Sequence, residues 1–439
     1  MAICAVPSRA RPASGKTRPP LAPPISPMLD RQHIFRASWT LVDQGVVSLG
    51  AFLVNVQLAR HLVPEDYGVY ALLFGAFLGL QLVNSSLLLY PMSIRLPVAA
   101  PTDRMPLLAA TTLLVLAYSA PLCAVLAAGL AIFGHRDLIV PVLAAFVLWQ
   151  LQEAMRRGLL AEFRHSSAIP GDMLSYLGLV AAVGALWLCE ALTLPAVFGA
   201  MALACGAGAA VQAWQLRLSL RHVVDLRDTA AEFVGIGGWS LVNNVVSLLR
   251  VQSLPWALAA AGGAAAAASF QAALNVVNLA NPIILGLCNV IPQTAAHAQR
   301  KGGNAEAWRA ARVYMLIGAP PTLGYYAVAF AVPGFILSVF YGAASPYVSL
   351  VLAVQLLVVA WAIGYAADMV CSYLHGIDAA RRALTINVLG AISAVVLALL
   401  LSRLYGLTGG CLALVGANLV RLAASHFIQT RITAHERTA

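Results

Sequence analysis

Few side chains in this sequence place charge where the chain is most apolar, and those few define its candidate chemistry. Asp43, Glu153, Arg250, Asp368 and Arg421 fall inside or at the edge of long apolar blocks. An ionisable group in such a block is costly unless it faces protein interior or a wet cavity. Arg250, flanked by Leu249 and Val251, is permanently charged and lies near the middle of its block. A guanidinium there can grip phosphate oxygens in bidentate fashion, which suits a phosphorylated cargo. It can equally pair with Asp43 or Asp368 and lock two parts of the chain together. Asp43 is either a proton carrier for coupled exchange or a hydrogen-bonded structural group. Asp368, Glu153 and Arg421 are candidates for the same coupling, for a gate, or for plain ion pairing.

Uncharged polar residues form a second pattern. Gln271, Asn275, Asn278 and Asn289 fall within a sector of about 60° on a helical wheel. Such a stripe is hard to leave facing lipid. It can line an aqueous path and bond sugar hydroxyls, or it can bond neighbouring helices. Asn243 and Asn244 begin a similar surface with Arg250. Gln81 and Asn84, three residues apart, could supply the facing surface. Trp39 and Trp239 read as interfacial anchors, with sugar-stacking platforms as the alternative.

Other chemistries have no support. The sequence has no G-x-x-x-x-G-K-[ST], no HExxH and no G-x-S-x-G. Its nine histidines are scattered without metal-ligand spacing, and its seven cysteines form no CxxC pair. No cofactor or metal is expected. The net charge of +10 does not indicate nucleic acid, because the basic residues sit between apolar blocks and not on one surface.

The elements that must position these residues follow from composition. Of 439 residues 61% are hydrophobic and 10% charged, with a mean hydropathy of +0.82. Too few charges remain to clothe a water-soluble core. The apolar blocks have the length that crosses about 30 Å of hydrocarbon as helix. Twelve spans are expected, at 36–60, 68–90, 106–133, 138–160, 172–192, 194–216, 235–258, 266–291, 313–340, 346–371, 383–402 and 406–429. An even number puts both termini on one side. Twenty-two of the 27 Lys and Arg fall on that side, and only Arg60, Arg136 and Arg403 on the other. The bias makes the termini cytoplasmic. Residues 1–30, rich in Pro and Arg, are expected to be a disordered tail, within which Met28 is a second possible start. Residues 431–439 form a short cytoplasmic tail.

The chain also repeats. Trp39-Thr-Leu-Val-Asp-Gln-Gly-Val-Val-Ser-Leu49 faces Trp239-Ser-Leu-Val-Asn-Asn-Val-Val-Ser-Leu248 with one gap, and Gln81 faces Asn281. Asp43 thus stands opposite Asn243. An offset of six spans gives a parallel repeat about an axis along the membrane normal. It implies an all-α membrane protein of two six-helix lobes, at 31–222 and 223–430, facing one another across a cavity.

The turn after the first span reads Leu58-Ala-Arg-His-Leu-Val-Pro-Glu-Asp-Tyr-Gly-Val-Tyr-Ala-Leu72. It resembles the LAR-x-L-G-P-x-x-Y-G-x-Y-A-L signature of polysaccharide-biosynthesis membrane proteins. These are the O-antigen and exopolysaccharide flippases of the multidrug/oligosaccharidyl-lipid/polysaccharide (MOP) exporter superfamily. The sequence departs at Val63, where that family usually has Gly. Pro64 can start the turn and Gly68 is read as permitting tight backbone before the second span. The resemblance spans roughly residues 31–430 and implies a non-enzymatic flippase of the bacterial inner membrane. It would move a polyprenyl-pyrophosphate-linked oligosaccharide by alternating access, with a polymerase and glycosyltransferases as partners. The alternatives are a cation-coupled multidrug exporter of that superfamily and a membrane-embedded glycosyltransferase or glycan ligase.

Overall fold

The computed structural model describes the backbone of residues 31–221, 223, 225–377 and 379–438, and their side chains except 31–38, 40, 41 and 433–438. The expectations for the 1–30 tail and Met28 lie outside the described residues. Among the described residues the secondary structure is helical throughout. The first half holds α1 (Arg31–His61) and α2 (Pro64–Asn84, carried through a π turn at Ser85–Leu89 to Tyr90–Arg95). It continues with α3 (Pro101–Ile132), α4 (Ile139–Ala161), α5 (His165–Asp172, a π turn at Met173–Leu177, then Gly178–Leu188) and α6 (Leu194–Leu216).

In the second half, apolar helical stretches of 106 and 53 residues run over Leu226–Ala331 and Ala380–Ile432. Both are far longer than one membrane crossing. They fold back at glycines. Gly263 (φ 75°) and Gly303 (φ 70°) adopt a conformation that a Cβ disfavours, and Gly406 breaks the other stretch. Divided there, the half holds α7 (226–261), α8 (264–301), α9 (304–331, extended by the short helix Pro333–Tyr341), α10 (Val351–Gly376), α11 (380–405) and α12 (407–438). Among the described residues the result is twelve helices of membrane-crossing length in two six-helix lobes.

Two expected loops are instead helical. α7 starts at Leu226, nine residues before the expected span, because Asp225 caps it. Its Oδ1 accepts from the backbone N–H of Arg227 at 2.7 Å and of Asp228 at 3.1 Å. The basic stretch between the expected spans 266–291 and 313–340 is also helical on both sides of Gly302-Gly303. Ala, Gln, Arg and Lys are good helix formers, and water satisfies whatever emerges from the membrane. Low hydropathy there marked the membrane boundary, not the helix end.

Within a bilayer, helices associate by close packing more than by hydrophobic expulsion. The first lobe centres on Phe77, which meets Phe146 edge-on at 5.2 Å and packs beside Trp149 and Phe198. The lobes meet along α2 and α7. Gly68 lies within α2, not in the preceding turn as the sequence suggested. Its role is close approach, since a Cβ there would collide with the carbonyl of Ala264. Gly237 does the same against the Ser86 carbonyl. Asn244 Nδ2 donates to Ser86 Oγ at 2.9 Å, and Arg95 pairs with Glu232 at the end that bears the termini.

Candidate functional site

A cavity of about 550 Å³ lies between the lobes, walled by α1, α2, α7 and α8. Its polar lining is Ser48, Asn55, Gln252, Gln271, Asn275 and Asn278, joined by Asn281. No lining residue is Asp, Glu, Lys or Arg. The α8 wall has a local cause. Pro282 has no N–H to give the Asn278 carbonyl, so the Asn281 N–H bonds it in a 3₁₀ turn over Asn278–Ala280. Asn281 Nδ2 donates to Asn278 Oδ1 at 3.0 Å, fixing that pair on the cavity wall. Leu49 of α1 and Leu279 and Leu285 of α8 are exposed lining residues.

Toward the end away from the termini the cavity is plugged. Asn275 Nδ2 donates to the hydroxyls of Tyr67 (3.1 Å) and Tyr341 (3.3 Å), and its Oδ1 accepts from Gln271 at 3.0 Å. Tyr67 donates to Asn55 Oδ1 at 3.4 Å, and Tyr341 to the Ala272 carbonyl at 2.9 Å. Phe52 meets Phe340 at 5.2 Å, and Arg60 Nη2 donates to the Val339 carbonyl at 3.0 Å. These contacts join α1 and α2 of one lobe to α8 and α9 of the other.

Of the expected stripe, Gln271, Asn275 and Asn278 line the cavity, while Asn289 lies deeper on α8 and is exposed. Gln81 and Asn84 do not line it. α2 offers Ala71, Phe74, Gly75 and Leu78, whereas Asn84 is buried and donates to Ser119 at 3.1 Å. Asn243 and Asn244 belong to the far part of α7, where Asn244 serves the seam. Arg250 is also outside the lining, although Val251 and Gln252 are in it. It is half-buried, its Nε is enclosed without an acceptor, and the charges within its electrostatic reach are Arg421 and Asp368.

The carboxylates that might have paired with Arg250 are engaged within their own lobes. Asp43 is not a lone acid. Its Oδ2 accepts from Arg156 Nη2 at 2.6 Å, while its Oδ1 is buried without a donor. Arg156 Nε also donates to Asp172 Oδ2 at 2.8 Å, and its Nη1 stands 3.6 Å from Glu153. Glu153 accepts from Arg157 Nε at 2.7 Å. Gln152 and Gln212 donate to Asp172 Oδ1 at 2.7 and 2.9 Å. The cluster therefore sets three carboxylates against two guanidiniums. In the second lobe, Arg421, 1% exposed, donates to Asp368 Oδ1 at 2.5 Å and to Asn387 and Asn418 Oδ1 at 3.2 Å each. Gly390 leaves room for its stem, because a Cβ there would collide with it.

Sequence reasoning missed Arg156, Asp172, Gln152 and Gln212. Arg156 counted as a loop charge and Asp172 as a span end. Spacing offered one signal. Gln152, Glu153 and Arg156 share a helical face, and a Gln–Glu–Arg face on an apolar helix calls for polar partners. Among the described residues no cluster of His, Cys, Asp and Glu could hold a metal ion.

The sequence matches no family model and no curated protein. Solved structures do match. An inward-facing multidrug resistance MATE family transporter of the MOP superfamily superposes with a TM-score of 0.76 at 15% identity, covering 90% of this chain and 96% of that one. An outward-facing MATE family transporter of the MOP superfamily gives 0.62 at 15% identity over 92% and 96%. The lipid II flippase MurJ in an inward closed conformation gives 0.67 at 10% identity over 90% and 87%. At these identities the likeness is one of fold, and the chain has the two-lobe helical fold of MATE and MOP transporters.

Proposed function

We propose that this protein is a flippase that moves a polyprenyl-pyrophosphate-linked oligosaccharide by alternating access between two lobes. The observation that carries this reading is the cavity lining, which is rich in amides and has no charged side chain. Amides donate and accept at once, as sugar hydroxyls require. A pocket for cationic drugs would need a carboxylate, and this lining offers none. A lateral gap between α1 and α8 would let a glycan enter while its lipid tail stays in the bilayer. Arg250 lies outside the lining, beside Val251, so it serves as the diphosphate partner only if cargo binding swings its guanidinium, whose Nε has no acceptor within the protein, into the cavity. The lobes divide at 222/223, the termini are cytoplasmic, and the membrane is a bacterial inner membrane. The solved structures of similar fold include a lipid II flippase, which supports a lipid-linked cargo. A glycan polymerase and glycosyltransferases are the partners such cargo implies.

A second reading, a cation-coupled multidrug exporter, is favoured by the Asp43–Arg156–Asp172 cluster. Its excess carboxylate can bind a proton and release it, as coupling requires. Coupling of this kind also fits a flippase. A glycosyltransferase or ligase would need an acid at the cavity, and none lines it.

The test is deletion followed by analysis of surface glycans and of dye efflux. Loss of glycan, restored by the wild type but not by Asn275→Ala or Arg250→Ala, is the expected result. Asp43→Asn should restore it only in part. Normal glycans with reduced dye efflux would establish the exporter instead.

A further inference from the structure

One amide of the cargo cavity stands apart. Most lining amides are engaged, at least at one end, inside the protein. Asn55 donates to the Ala51 carbonyl at 2.9 Å, Gln271 donates to Asn275, Asn275 donates to two tyrosines, and Asn281 donates to Asn278. Among the described residues, Gln252 alone of the lining amides has no hydrogen-bond partner at either end. It is half-buried, and neither its nitrogen nor its oxygen is sealed off.

Two neighbours decide what Gln252 offers. Gly75 of α2 lies directly against its amide. A Cβ on Gly75 would stand 2.7 Å from Nε2 and 3.4 Å from the amide carbon, so the missing side chain lets Gln252 of α7 lie across the boundary between the lobes. On α7, Val251 and Pro255 stand about one turn apart and both line the cavity. Pro255 has no N–H to give the Val251 carbonyl, so the helical ladder leaves an acceptor one residue from Gln252. A donor and two acceptors thus meet on an uncharged wall. Adjacent hydroxyls on a sugar ring match that set, because each hydroxyl donates and accepts. An apolar chain would leave the amide unpaired, and an ion would find no counter-charge on this lining. On the footing of the flippase reading, we propose that Gln252 is a specificity-determining residue that bonds a vicinal pair of hydroxyls on the cargo glycan, with Gly75 as its seat.

The probe is the lipid-linked glycan that accumulates in cells lacking this protein, extracted and purified. One portion is oxidised with periodate, which cleaves the bond between adjacent hydroxyl-bearing carbons, and is then reduced with borohydride. The affinity of the full chain in nanodiscs is measured for both forms. The wild type should bind intact glycan about tenfold more tightly than the cleaved form. Gln252→Leu should bind the two forms alike. Gly75→Ala should fold normally, because only the flexible end of Gln252 has to move, yet lose the same preference. Adding Gln252→Leu to it should cost nothing more. Gly45→Ala places a methyl group in open space in the same cavity and should keep the preference. A Gln252→Leu protein with the wild-type preference would overturn the proposal. So would an equal loss in Gly45→Ala, or a glycan that periodate leaves uncut. Cells that accumulate no lipid-linked glycan would overturn the flippase reading itself, and the role of Gln252 with it.

Discussion

Arg156 is the side chain on which most of the first lobe's buried charge converges. It holds Asp43 of α1 and Asp172 of α5, both almost fully buried. Removing one partner of such a set leaves uncompensated charge inside, which costs more than the pair is worth intact. Arg156→Met is expected to destabilise the protein by about 3–5 kcal/mol, read from unfolding in mixed detergent micelles. Adding Asp172→Asn should recover part of that loss. An undiminished midpoint for Arg156→Met would mean that the cluster contributes nothing to stability. The cluster was only half legible in the sequence. Asp43 and Glu153 stood out as charges among apolar neighbours, but their partners lay at helix ends, where sequence resolves depth only to about a turn. Composition also cannot say which helix faces which, so Arg250 was assigned to a lumen that its neighbours line instead.

At the scale of elements, the seam of α2 with α7 and the start of α8 depends on glycines placed where backbones touch. Gly68 meets Ala264 at one end, and Gly237 meets Ser86 nearer the other. Gly68→Val should pry the seam apart at the tyrosine-plugged end and favour a conformation open there. Spin labels at Val63 and Ala344, both near that end, would report the change as a longer distance distribution. Gly237→Val should leave that distance unchanged. An unaltered distribution in Gly68→Val would mean that the contact does not hold the two ends together. Helix number and order were legible because hydropathy reports membrane crossing directly. Helix ends were less so, because the helices continue past the lipid on caps such as Asp225 and on good helix formers such as Ala296 and Gln299. The role of Gly68 was hidden because a sequence does not show that another backbone lies against it.

For the whole molecule, the even helix count and the distribution of basic residues predict one orientation. Reporter fusions at residue 31 and after 438 should both be active on the cytoplasmic side, and a fusion at Ala344 should report the opposite face. Opposite signals from the two termini would mean that a span has been miscounted. The two-lobe plan was readable from the 200-residue repeat, because the same entry sequence starts each half. The plug was not, because Tyr67, Asn275 and Tyr341 lie 66 to 274 residues apart in the chain and meet only once the lobes fold.

The uncharged cavity wall has an electrical consequence. When the lobes swing over an empty cavity, no lining group carries charge across the field. Unless a proton rides on the Asp43–Arg156–Asp172 cluster, the return stroke should therefore be indifferent to voltage. A diphosphate cargo adds the charge the wall lacks. Each negative charge moved outward through an inside-negative membrane gains about 2.3 kcal/mol per 100 mV. Potassium diffusion potentials imposed on proteoliposomes should then accelerate loaded transport and leave empty-carrier exchange unchanged.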